Sequence, residues 1–323
     1  MPRAVRFVSC QNSIVVATSY ASLNLWQDGK IVSSQIAKPA FCRGLPTVPR
    51  EFFLKDLPVS LRKPLSVLLR SYLRFRLRSG NAHGLHSPFV FQLYTQVIRN
   101  RQLYYCYEPI EDSRLDLLRS VEILEMTDLG AGSKTTAARQ RKVRDIARHS
   151  EKSAALAQLL FRLAHHFQPQ TILDLGTSLG TTTLYLAHAN RQARVFTFEG
   201  DRGSLEIARR RFGEFGLSHI IPVAGNIDRT LPETLANIEK LDFVFFDANH
   251  RLEPTLRYFE QCLAQAHPDS VFVFDDIYWS AEMRRAWQSI QAHPSVTMTV
   301  DLFHLGLVFF RESQPKQHFS LRI

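Results

Sequence analysis

Five acidic side chains stand where apolar runs stop: Asp174 in TILDL, Glu199 closing RVFTFE, Asp247 after LDFVFF, and Asp275 with Asp276 after VFVF. In open α/β sheets ligands bind outside the carboxyl ends of the strands. Five acids at such ends predict one chemical edge rather than five unrelated helix caps. Gly176 and Gly180 bracket the turn after the first of these runs, where glycine tolerates positive φ and lets a ligand approach the backbone. The helix that follows aims unpaired N–H groups at the same place. Glu199, 25 positions beyond Asp174, lies where a βαβ unit presents an acid to both hydroxyls of a ribose. The ligand is therefore expected to be nucleoside-like. Ser178 and Thr181 occupy the second and third glycine positions of the dinucleotide fingerprint, which disfavours a nicotinamide cofactor.

These residues need a parallel sheet to hold them. Apolar runs rich in Val, Ile and Phe, spaced by Leu- and Ala-rich stretches, predict alternating strands and helices from 171 to 292 and a terminal strand pair at 296–302 and 305–311. Right-handed crossovers make this a doubly wound α/β sheet. A helix over Ser153 to His166 is expected to precede the first strand.

The ordered series DLGTSLGT, FEG, FFDANH and FDD resembles the class I S-adenosylmethionine-dependent methyltransferases, and among them the small-molecule O-methyltransferases similar to catechol O-methyltransferase. The likeness spans roughly residues 150 to 311. It implies a Rossmann-like seven-stranded sheet of order 3-2-1-4-5-7-6 with one antiparallel strand, and methyl transfer to the oxygen of a small-molecule acceptor. It also implies that Asp174, Gly176, Thr177, Ser178, Gly180 and Glu199 contact S-adenosylmethionine, with Asn226 or Ile227 beside the adenine and Asp247 near the sulfonium. Metal-dependent members hold Mg²⁺ or another divalent cation with an acid after strand four and an Asp-Asn pair after strand five. Here Asp247 matches the first, and Asp275-Asp276 matches the second with Asp in place of Asn. His250 stands where those enzymes carry a catalytic lysine, and histidine can act as a general base near neutral pH. The proton is thus assigned to His250, with Asp247 as the alternative or as a metal ligand. Tyr278 and Trp279 either wall the acceptor pocket or cap the core.

Outside this span the sequence divides by charge. Of a net charge of +10, residues 57–107 contribute eight Lys or Arg and no acid. The reading is a weakly ordered extension over 1–56, a basic helical and loop region over 57–150, the methyltransferase domain over 151–312 and a polar tail over 313–323. Apolar residues recur at helical spacing from Ser60 to Arg78. That helix either packs on the domain with its arginines in water or offers a basic face to nucleic acid, lipid or an acidic partner. Ser87 and Pro88 predict the start of another helix, with His83 and His86 just before it. TDLGAGS at 127–133 imitates the glycine turn but is followed by a polar, basic run, so Ala131 to Arg148 reads as an exposed loop. No apolar run is long enough to cross a bilayer. Four cysteines without ligand or pairing spacing fit a reducing, cytoplasmic setting. A nucleic-acid methyltransferase, a non-catalytic cofactor-binding protein and a homodimer remain open.

Overall fold

The computed structural model describes residues 71–81, 84–126, 140–312 and 315–323 in full, and four strands before them in backbone only. Two compact units divide the chain, 1–69 and 70–323. In the first, β1 (Arg6–Cys10), β2 (Ser13–Ser19), β3 (Ser22–Gln27) and β4 (Lys30–Ser33) form an antiparallel meander. These strands lie where the sequence reading expects a weakly ordered extension. Their short apolar runs, Phe7–Val8, Ile14–Ala17 and Leu23–Trp26, have strand composition once hairpin partners are supplied.

The second unit is built on an eight-stranded sheet. Its core is β7 (Thr171–Leu175), flanked in parallel by β8 (Arg194–Glu199) and β10 (Leu241–Phe246). Outward lie β9 (Ile220–Ala224) on one side and β11 (Ala266–Asp275) on the other. Then β13 (Leu305–Phe309) runs antiparallel to β11 and to β12 (Met298–Asp301). Counted from β7, these strands follow the expected order 3-2-1-4-5-7-6 with one strand reversed. An eighth strand was not expected: β14 (Gln317–Ser320), in the segment read as a polar tail, adds parallel to β12. Period-two burial explains the two faces. Ile172, Phe243, Phe245, Val271 and Val273 pack under α5 (Ala154–Phe167) and α6 (Thr181–Ala189). Leu173, Leu175, Val244, Phe246, Phe272 and Phe274 pack under α8 (Ile227–Leu235), α9 (Leu252–Leu263) and α10 (Ala281–Ala292). Between β8 and β9 runs α7 (Arg202–Glu214).

The segment before β7 shares this core rather than standing apart. Helical residues 71–78, here α1, bury Phe75 and set Tyr72 against Phe303, while Arg74, Arg76 and Arg78 are exposed. Then α2 (Pro88–Gln92), capped by Ser87, continues into a wider π turn over Leu93–Ile98. Val90, Leu93, Val97 and Ile110 join the sheet's first face, the last from α3 (Tyr107–Arg119). No seam therefore falls at 150. The loop expected over 131–148 is corrected in its described part. Gln140–Lys142 (β6) pairs with Ile123–Glu125 (β5), and α4 (Val143–Ser150) follows. Val143, Ile146 and Ala147, at helical spacing, are buried in it, a stripe hidden in the sequence by the surrounding basic residues. His83 and the whole imitation turn, TDLGAGS at 127–133, lie outside the described residues; His86 is exposed.

Candidate active site

The turn after β7 is shaped by backbone. Gly176 (φ +128°), Ser178 (φ +48°) and Gly180 (φ +88°) all lie in the left-handed region. At Gly176 a Cβ would stand 2.6 Å from the Asp247 carbonyl oxygen, so glycine is required there. Glu199 ties this turn to the next one: its Oε2 accepts from Ser178 N at 2.7 Å and its Oε1 from Asp201 N at 2.8 Å. Each carboxylate oxygen carries two acceptor sites, so both can still accept from a ligand. Burial pushes the Glu199 carboxyl above its usual range, and the backbone N–H groups of Asp201 and Ser178 work against that.

Asp174 is fully buried. Its Oδ2 accepts from Thr183 Oγ1 at 2.6 Å and Thr197 Oγ1 at 2.9 Å, while Oδ1 has no hydrogen-bond partner. Burial raises its carboxyl to about 7, against the two threonine hydroxyls. Thr177 Oγ1 lies 2.5 Å from Thr197 Oγ1, so its side chain faces the core and only its backbone can serve a ligand. Asn226 is an exposed N-cap, accepting from Asp228 N at 2.9 Å, and Ile227 packs on the second face of the sheet.

Across the turn, at the ends of β10 and β11, side chains replace backbone. Asp247, His250 and Asp275 offer ligand atoms that all lie within 4.8 Å of one another. Asp276, expected with them, is not in this group among the described residues; it takes φ +50° and donates its N–H to the His304 carbonyl. Between the two carboxylates stands a residue the sequence reading did not single out. Lys152 Nζ donates to Asp247 Oδ1 at 2.9 Å and to Asp275 Oδ2 at 2.5 Å. His250 Nε2 lies 3.4 Å from the same Asp247 Oδ1.

The electrostatics follow from that triangle. Burial alone would lower the Lys152 ammonium, but the charges of Asp247 and Asp275 overcome it and hold the lysine protonated. Burial would raise Asp247, and the Lys152 charge with the His250 contact brings it below the usual range. Asp275, 1% exposed, is pushed well up by burial and then by the Asp247 charge. For His250, burial would lower the ring, and the Asp247 contact outweighs it so that the net direction is up. Beside His250, Leu175, Phe246, Ala248, Tyr258 and Met283 border an apolar recess. Tyr278 does not wall it: its hydroxyl donates to Asp301 Oδ2 at 2.6 Å and its ring stacks on Phe303, whereas Trp279 is 64% exposed.

Lys152 arrives from the loop between α4 and α5, 95 residues before Asp247 and 123 before Asp275. The one local signal is its place just before the Ser153 N-cap of α5. A cation at a helix N-terminus opposes the helix dipole, so such a lysine needs carboxylate partners from elsewhere.

A family described as a methyltransferase domain matches residues 173–277. A catechol O-methyltransferase of Niastella koreensis is 28% identical over 131 residues, which is 40% of this chain and 57% of that protein. A second catechol O-methyltransferase, from Mycobacterium tuberculosis, is 30% identical over 161 residues, 46% of this chain and 71% of the relative. The chain belongs to the class I S-adenosylmethionine-dependent methyltransferases. Among solved structures, an O-methyltransferase from Bacillus cereus in complex with SAH is 19% identical, with a TM-score of 0.45 over 68% of this chain and 97% of that one. In this methyltransferase the matched family span holds every acid of the edge, and Lys152 lies upstream of it. No helix among the described residues is long and apolar enough to cross a membrane.

Proposed function

We propose that the protein transfers a methyl group from S-adenosylmethionine to a hydroxyl oxygen of a small molecule, in a reducing, cytoplasmic setting. The carrying observation is Glu199, whose two oxygens are fixed by Ser178 N and Asp201 N yet keep acceptor sites beside the positive-φ turn Gly176–Gly180. That arrangement suits a ribose diol. The residues fit the rest of the cofactor on two counts. Asp174 Oδ1 is a buried acceptor with no partner, and the first turn of α6 presents N–H groups toward the same turn. Asn226 and Ile227 at the head of α8 are the adenine neighbours in this reading.

The sulfonium supplies an already reactive methyl carbon, so the chain's task is alignment, exclusion of water and removal of one proton. Held by Glu199 and the Gly176–Gly180 turn, the cofactor would supply the methyl carbon, its C–S bond breaking with the bonding pair left on sulfur as the acceptor's C–O bond forms. The acceptor's proton passes to His250 Nδ1, the ring nitrogen opposite the Nε2 contact through which Asp247 orients the ring. Asp247 cannot easily take that proton itself, because Lys152 holds its carboxyl below the usual range.

Titration calorimetry with S-adenosylhomocysteine tests this. Wild type should bind one equivalent, and Glu199→Gln should bind at least tenfold more weakly, since a hydrogen bond to a charged group contributes about 1.5–3 kcal/mol. Equal affinity in the variant removes the ribose assignment. Absence of binding by wild type removes the proposed activity.

A further inference from the structure

We propose that Lys152 is a built-in cation, standing where metal-dependent relatives would hold a divalent ion, so that this methyltransferase works without a resident metal. The inference rests on the methyl-transfer reading only for the identity of the acceptor.

The donor set taken alone suits a divalent ion: two carboxylates and an imidazole converge within 4.8 Å. The space they enclose is filled. Lys152 Nζ is within hydrogen-bonding distance of both carboxylates, at 2.9 and 2.5 Å, and its side chain is only 13% exposed. Mg²⁺ sits 2.0–2.1 Å from its oxygen ligands and Ca²⁺ 2.3–2.6 Å. An ion on these same oxygens would therefore lie against the ammonium, and two like charges in contact at a partly buried place repel strongly. Two carboxylates already have one cation in contact, with His250 as a second group able to carry charge. The two carboxylates and the ammonium together carry one negative charge, and adding a divalent ion would make the cluster net positive. The residues as placed do not fit a resident divalent cation.

The lysine is held there from its own side as well. Desolvation pushes the neighbouring Glu151 carboxyl up, while the Arg211 guanidinium and a hydrogen bond with Thr181 oppose that. Arg211 is itself fixed by donating to Leu179 O at 2.6 Å and Thr181 Oγ1 at 2.9 Å. The two residues of the α4–α5 loop thus reach in opposite directions, Glu151 toward the Arg211 cluster and Lys152 toward the acidic edge. A bound metal would have to expel a side chain that sits between Glu151 and the Ser153 N-cap of α5. An ammonium has three donors. Two go to Asp247 and Asp275, and the third is available to hold one oxygen of an acceptor.

The test uses the full chain with S-adenosylhomocysteine bound and Mn²⁺ as probe, read by electron paramagnetic resonance. Wild type should leave the aqueous Mn²⁺ signal unchanged at equimolar protein, and EDTA should move its S-adenosylhomocysteine affinity less than twofold. Lys152→Ala should bind one Mn²⁺ per chain at least tenfold more tightly than wild type, and adding Asp275→Asn should abolish that binding. Lys152→Met, which keeps the side-chain length, gives the same readout should the alanine variant fold poorly, with cofactor affinity as the folding control. The proposal is overturned if wild type binds one Mn²⁺ that Asp275→Asn removes. It is equally overturned if a folded lysine variant gains none. Neither readout needs turnover, so failure of the acceptor assignment and failure of this inference are separable.

Discussion

The two halves of the chemical edge are positioned by different kinds of atom. Around Gly176, Gly180 and Glu199 the backbone does the placing, with left-handed glycines and N–H groups on a carboxylate. Around Lys152, Asp247, Asp275 and His250 the placing is done by side-chain charge drawn from three separate elements. A backbone-built half should fail when a Cβ is added and, Glu199 apart, tolerate changes of side-chain polarity. A charge-built half should do the reverse, losing chemistry on neutralisation while the fold and cofactor affinity persist.

The most damaging change should therefore be the smallest one, Gly176→Ala. Its methyl group would meet the Asp247 carbonyl at 2.6 Å in a φ of +128°. A cost of about 1–3 kcal/mol is expected from the strained backbone alone, with the clash adding to it and cofactor affinity lost alongside. Thermal melting and calorimetry check both, and wild-type values in each would break the contrast between the halves.

Next in size, His250→Ala should lower turnover about a hundredfold, the scale of a positioned general base, with cofactor affinity within twofold of wild type. The pH profile carries the sign. Burial would depress the ring, but the Asp247 contact raises it overall. A base works unprotonated, so kcat/KM should rise with pH through a midpoint above the ordinary imidazole value of about 6.5. Because the Asp275 charge also supports the protonated ring, Asp275→Asn should move that midpoint down. A midpoint that stays put would detach His250 from the proton transfer.

The smallest effect is expected at Asn226. In the half proposed for the cofactor, Asn226 acts through its side chain as Glu199 does, here by capping α8. Asn226→Ala should cost about 1 kcal/mol of stability and weaken cofactor binding only severalfold, by calorimetry. A loss as large as that of Gly176→Ala would mean the adenine end is not backbone-built.

This contrast also explains what could be read from the sequence. The turn TILDLGTSLGTTT carries its own geometry, because glycines at fixed offsets after a buried strand dictate positive φ whatever lies elsewhere. The doubly wound alternation followed for the same reason, since each βαβ unit fixes its own handedness, whereas the strand order came from the family resemblance. Lys152 carries no such local information. Its role exists only after β10 and β11 bring Asp247 and Asp275 to the loop before α5, over 95 and 123 residues. The family pattern drew attention to Asp276 in its place, but a left-handed φ at that position leaves it outside the triangle. The helix α4 was missed for a different reason. Its buried stripe of Val143, Ile146 and Ala147 is three residues among Arg144, Arg148 and Lys142, and charge density masked the period.

The C-terminal strand has a consequence for how this protein behaves in company. A sheet edge is a row of unpaired N–H and C=O groups that another chain can extend. β12, every residue of it buried, would be such a template if it were the last strand. β14 covers it with four residues, and Arg322 fastens the end by donating to Ser79 Oγ at 3.1 Å and to the Arg76 and Ser79 carbonyls. At the opposite border, β9 carries Pro222 in mid-strand, which removes a donor from the rim. The new border, β14, is itself short and is met at its end by the backbone of Gly80, which donates to Ser320 O at 2.8 Å, so both borders offer little to edge-to-edge polymerisation. Cutting the chain before Gln317 should show itself first as aggregation on heating, before any change in how the cofactor is held.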